Sequence, residues 1–127
     1  MDASTFAGLL LLLVVPALAL SRLTPAIDGR ILAGVPVAMS LVTFLSYRSD
    51  KRRAEAGEWR IPEATLHLAE LAGGWPGAFL AQRSYRHKTA KLSFQVVFWL
   101  IVLLHQFVAL DFLLGWKLTK GAFALFD

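Results

Sequence analysis

Residues 63–82 read EATLHLAELAGGWPGAFLAQ, and the conformation of this stretch decides the fold of the chain. Pro62 and Pro76 both suit the start of a helix, where a missing backbone N–H and a preset φ do no harm, and the Gly73-Gly74 pair suits a helix end. The spacing predicts two short helices, over roughly 63–72 and 76–85. At about 1.5 Å per residue each reaches about 15 Å, half of the roughly 30 Å hydrocarbon core of a bilayer. A re-entrant or interfacial helical hairpin fits that length better than a straight span.

Around it stand three runs without a formal charge, Ala3 to Leu20, Ile31 to Tyr47 and Leu92 to Leu110, each long enough to cross a bilayer as a helix. Helix is required because lipid offers no water to satisfy backbone amides, and none of the runs has the alternation of a barrel strand. With 57% hydrophobic and 17% charged residues among 127, the chain is too apolar for an ordinary soluble domain and leaves no segment for a second module. The expected class is an all-α integral membrane protein, a single membrane domain over residues 1–127 with three transmembrane helices plus the short hairpin; four transmembrane helices are the alternative. The lack of cysteine excludes disulfides, thiolate nucleophiles and cysteine-based metal centres. Leu9 to Val15 followed by Ala17-Leu18-Ala19 has the shape of a secretory signal, but Asp2 stands where a signal carries Lys or Arg, which favours an uncleaved anchor.

Basic residues choose between the two topologies, because Lys and Arg collect in cytoplasmic loops. If residues 63–82 enter and leave on one side, Arg48, Lys51, Arg52, Arg53, Arg60, Arg83, Arg86, Lys88 and Lys91 stand together, nine inside against four outside. If they span, the division is seven against six. The expected arrangement has the N-terminus and the basic loops cytoplasmic and the C-terminus outside.

Several polar groups stand out within this frame. Ser40, Thr43, Tyr47 and Asp50 share one helical face. Interhelical hydrogen bonding accounts for Ser40 and Thr43, while Asp50 is placed to pair with its basic neighbours Lys51, Arg52 and Arg53. Glu63, His67 and Glu70 also share a face, a spacing that can hold a metal, but no second cluster of acids or histidines is near in sequence, and the reading is a polar interfacial face with no metal. Glu63, in the first turn after Pro62, complements the helix dipole. Gly73, Gly77 and Ala81 form a small-xxx-small row for close helix approach. In the last span Gln95, Trp99 and Gln106 fall near one stripe with His105 beside it, and they read as groups that face protein. Asp111 is expected near Arg22, Arg30 or Lys117. Trp75, at the hairpin tip, needs a partner for its indole N–H if it sits at mid-membrane depth.

The densest polar signal is RSYRHKTAK at 83–91. Contact with anionic lipid accounts for its charge, at about 1 kcal/mol per basic residue. The mixture of guanidinium forks, ammonium groups, a hydroxyl and an imidazole suits phosphate recognition in addition.

The pattern formed by Asp50-Lys51, Ala54, Gly57, Arg60-Ile61-Pro62-Glu63, Gly73-Gly74, Gly77-Ala78, Gln82, Arg86-His87-Lys88-Thr89, Lys91 and Phe94 resembles that of domain-of-unknown-function family 1294, small bacterial membrane proteins. The resemblance covers residues 50–94, that is the basic loop, the hairpin and the RHKT segment. It implies a bacterial membrane location and no assigned activity. Some relatives in that family resemble fusions to an N-terminal cold-shock domain; here a hydrophobic span stands in that place, so no direct contact with nucleic acid is expected. The matched charged positions form the candidate site, with Arg60, Arg86, His87, Lys88 and Lys91 binding an anion and Asp50, Lys51 and Glu63 orienting them.

The expected function is accessory or binding rather than catalytic. It is that of a bacterial inner (plasma) membrane protein whose cytoplasmic edge takes an anionic, phosphate-bearing group such as a phospholipid head group. Membrane lipids are the expected partners, homo-oligomers are compatible with it, and no cofactor is called for. The alternative is an enzyme acting on a lipid-phosphate or isoprenoid substrate, with His87 or Glu63 as general acid/base; a third reading is a small oligomeric transporter.

Overall fold

The computed structural model describes residues 2–85 and 91–126, and among these it contains α1 (Ala3–Ser21), α2 (Gly29–Glu55), α3 (Glu63–Ala69), a π-helical turn (Glu70–Gly74), α4 (Trp75–Tyr85), α5 (Leu92–Leu113) and α6 (Lys117–Ala124), with no strand. The three uncharged runs became α1, α2 and α5, of 19, 27 and 22 residues, each long and apolar enough to cross a membrane. Only 6% of the apolar window of α1 is buried, so most of its hydrophobic surface faces outward, as a helix solvated by lipid on the side away from its neighbours requires. Asp2 is the N-cap of α1: its carboxylate accepts from the Thr5 amide at 3.0 Å and from Ser4 Oγ at 2.7 Å. The Ser4 hydroxyl first, and Thr5 second, hold its pKa down at about 2. Asp28 caps α2 in the same way through the Arg30 amide.

Residues 61–85 turn back along α2, and its partners mark the path. The Ile61 amide donates to Asp50, Glu70 meets Tyr47, Gly74 lies against Met39 and Thr43, and Gly77 lies against Ser40. The chain then returns, with Gln82 again at Tyr47 and the Tyr85 carbonyl receiving Lys51 Nζ at 2.8 Å. Both arms therefore begin and end beside the C-terminal part of α2. The break falls earlier than the Gly pair alone predicts, because the helix widens into the π turn from Glu70 and Gly73 takes φ +113°, a conformation that side-chain-bearing residues rarely adopt. In the row that touches α2, Gly77 stands as expected and Gly74 takes the place expected of Gly73. A Cβ on Gly77 would collide with the Ser40 carbonyl, and one on Gly74 would stand 2.8 Å from the Met39 carbonyl oxygen, whereas Gly73 supplies the bend and has open space around it.

α1 and α5 form a second pair, tied where Gln106 Nε2 donates to the Leu12 carbonyl and where Arg22 Nη1 donates to the Leu113 carbonyl at 2.8 Å. The turn-back is wedged between this pair and α2. Its apolar residues Leu66, Trp75, Ala78, Phe79 and Ala81 join Tyr47 of α2 and Phe94, Phe98 and Val102 of α5 in one core. That core occupies the end of the bundle holding Asp2, Asp50 and Tyr85, here called the rim end.

At the other end, Asp111 is wholly buried and accepts from the Leu118 and Thr119 amides at 2.9 and 3.2 Å and from the Thr119 hydroxyl. Its described partners are thus the first amides of α6, not the Arg22, Arg30 or Lys117 expected from proximity. A carboxylate there satisfies donors that have no partner within their own helix and sits at the positive end of the dipole. Gly115 and Trp116 make the corner at φ +69° and +65°.

Candidate functional site

The rim is assembled from three segments far apart in sequence. Asp50, wholly buried at the end of the polar face of α2, accepts the Ile61 amide at 2.8 Å and the Arg60 guanidinium at 3.4 Å. This corrects the expected pairing with Lys51, Arg52 or Arg53: the acid reaches across the loop and fixes the entry to α3. Lys91 Nζ, at the start of α5, meets Glu63 at 2.7 Å across 28 residues, and Lys51 closes on the last carbonyl of α4. Asp50, Lys51, Arg60, Glu63 and Lys91 are therefore brought to one end of the bundle. Arg86, His87 and Lys88 lie outside the described residues. Arg60 and Lys91 each hold a carboxylate while keeping about half of their side chains exposed, 50% and 56%.

The rim also carries two clefts that the sequence did not single out. One, of about 500 Å³, is lined by Arg48, Arg52, Arg53 and Glu58 among others; the second, of about 340 Å³, by Arg48, Lys51, Arg52, Glu55 and Tyr85. Arg48 and Arg52 line both, one helical turn apart on α2. Their signal in the sequence was the basic run 48–53, read there as a marker of topology and, for Arg52, as a partner for Asp50.

Below the rim lies a buried polar chain. Gln95 Nε2 donates to Gln82 Oε1 at 2.9 Å, Gln82 Nε2 donates to the Tyr47 hydroxyl at 3.2 Å, and that hydroxyl donates to Glu70. The His67 Nδ1–H donates to the other Glu70 oxygen at 2.8 Å, and the His67 ring lies on Phe94 with centroids 4.3 Å apart. Glu70, Tyr47 and Gln82 are shielded from solvent. Five segments, α2, α3, the turn, α4 and α5, are thus joined through one carboxylate, and each of these bonds runs toward it as acceptor. Leaving a partner of such a chain unmade costs about 1–3 kcal/mol per group. Glu63, His67 and Glu70 do not converge on one point, because Glu63 is held at the rim by Lys91 while His67 and Glu70 bond each other.

The remaining intramembrane polar groups face protein, as read from the sequence. Gln106 bonds α1, and His105 Nε2 bonds the Leu71 carbonyl at 3.1 Å, one of the acceptors released where the helix breaks. Glu70 and Gln82 as the centre of a network were missed, because the pairing of Tyr47 with both depends on the turn-back and has no local spacing.

Residues 40–94 match the family described as "Protein of unknown function (DUF1294)". The chain is 37% identical over 65 residues to "Uncharacterized protein YsdA" of Bacillus subtilis (strain 168), an alignment covering 51% of this chain and 73% of that protein. No solved structure matches the chain.

Proposed function

We propose a function from one premise: the chain belongs to the DUF1294 family of proteins of unknown function. The matched region, 40–94, begins where Ser40 meets the turn-back and ends at Phe94 beside His67, so it covers the turn-back, the part of α2 on which it packs and the start of α5. In our reading the protein is an accessory component of the bacterial plasma membrane. The turn-back re-enters the bilayer from the cytoplasmic side, and the rim binds an anionic, phosphate-bearing group, a phospholipid head group being the form most abundant there.

One observation carries this reading. Both arms of the turn-back return to the end of α2 that bears Arg48, Lys51, Arg52 and Arg53, which gathers cations from separate loops around open clefts. Arg supplies planar forks that fit phosphate oxygens, and the internal pairs Asp50–Arg60 and Glu63–Lys91 hold the surrounding backbone in place. Trp59, 91% exposed beside these clefts, suits the head-group layer.

The test uses purified protein and fluorescent phosphatidylglycerol in detergent. Arg48→Gln with Arg52→Gln, and separately Arg86→Gln with Lys88→Gln, are expected to weaken binding by about fivefold per residue, with a smaller effect at high salt. Affinity unchanged in both variants overturns the reading. Sidedness has its own test, since the chain lacks cysteine: Ser84→Cys and Ser93→Cys, both exposed, are expected to react with an impermeant thiol reagent only from the cytoplasmic face.

A further inference from the structure

The half of the bundle away from the rim holds a cavity that the rim reading does not use. α2 packs principally on the turn-back, which separates it from the α1–α5 pair. The turn-back reaches only as far as Met39 and His105. Beyond its tip the gap between α2 and the pair stays open, as a cavity of about 470 Å³, within the size range of small-molecule sites. Its walls are apolar, with Leu13 and Ala17 from α1, Pro36 from α2, and Val108, Ala109 and Phe112 from α5. Gly73, Trp75, Pro76 and His105 form its inner end, and Leu23 and Trp116 its outer one.

From His105 to Leu113, the end of α5, is about 12 Å of helix, and beyond it Gly115 and Trp116 turn the corner, so the cavity runs over a little less than half of a roughly 30 Å hydrocarbon core. The cavity therefore fits within the depth of one leaflet. Its lining is hydrocarbon-like, which leaves water without partners, and it lies between helices whose outer surfaces are those of membrane spans. At the outer end Arg22 is fixed on the Leu113 carbonyl, so the mouth lies at a charged boundary. Trp75 is only 3% exposed, and its ring forms part of the cavity floor.

We propose that this cavity is a binding site for a single lipid acyl chain, entering from the leaflet opposite the basic rim and ending against Trp75. The chain replaces, in that leaflet, the volume that the turn-back fills in the other. This site is independent of anion binding at the rim, and either can fail without the other.

Trp75 is itself the probe. In a Trp59→Phe, Trp99→Phe, Trp116→Phe background it is the sole tryptophan, and the protein is placed in nanodiscs of phosphatidylcholine brominated either near the chain end or near the head group. Chain-end bromine is expected to quench most of the Trp75 emission and head-group-proximal bromine little of it. Ala109→Phe on α5 and, separately, Ala17→Phe on α1 are each expected to remove most of that quenching. Absence of quenching by either lipid overturns the proposal, as it does if protein or a second copy seals the cavity. Quenching that survives unchanged in both filled variants overturns it equally, since the chain then reaches Trp75 by another route. The comparison of bromine positions needs no substitution that fills the cavity, so it stands if a filled variant does not fold.

Discussion

The two halves of this bundle are made from the same three long helices and differ in what lies between them. In the rim half a wedge of short helices separates α2 from α1 and α5, and it is packed against backbone, with Gly77 on the Ser40 carbonyl and a buried polar chain through Glu70. In the far half the wedge is missing, and α2 presents Ile31, Val35 and Val37 outward beside an apolar cavity. The contrast shows that the long helices supply span, whereas the short ones supply specificity. Close packing and buried hydrogen bonds belong to the region where the turn-back meets them.

The sharpest way to break this comparison is to make one substitution in both halves. Gly77→Leu drives a side chain into the backbone of α2 and is expected to cost about 3 kcal/mol or more, read as a large fall in thermal stability in detergent. Gly34→Leu, in the far half of the same helix contact partner, meets nothing within 4 Å and is expected to be neutral or to stabilise by up to about 1 kcal/mol through helix propensity. Equal losses at the two positions would remove the distinction.

A smaller effect tests the polar chain. Glu70→Ala strips the acceptor from both Tyr47 and His67, and a loss of about 1–3 kcal/mol is expected. Tyr47→Phe added to it should cost less than in the wild-type background, because the hydroxyl has already lost its acceptor. Full additivity in that cycle would mean that the network is not a unit. The smallest loss is expected in the far half, where Asp111→Ala uncaps α6 at about 1 kcal/mol and raises amide exchange in residues 117–124 without altering exchange in the turn-back.

Much of the rim half was legible in the pattern shared with the family, and the structure explains why those residue types stand there. Pro62 starts α3, Gly73 makes the bend, Gly74 and Gly77 admit α2, and Phe94 closes over His67. Asp50 and Glu63 were read as orienting charges; Asp50 accepts from Arg60 and the Ile61 amide, and Glu63 from Lys91. What stayed hidden were contacts between residues with no regular spacing. Gln82 and Tyr47 are 35 residues apart, and Asp111 finds its partners past a corner made by two left-handed residues.

Three spans, a break at the Gly pair and a basic rim follow from composition and local chemistry alone, because a run of uncharged residues, a proline or a glycine constrains its own segment whatever surrounds it. Where the broken segment lies, which acid meets which base, and that an apolar gap remains beyond the tip were decided only by the tertiary arrangement. The reason is steric: backbone can approach backbone closely only where Gly74 and Gly77 happen to face Thr43 and Ser40, and that single register sets the depth of the wedge and so the space left behind it.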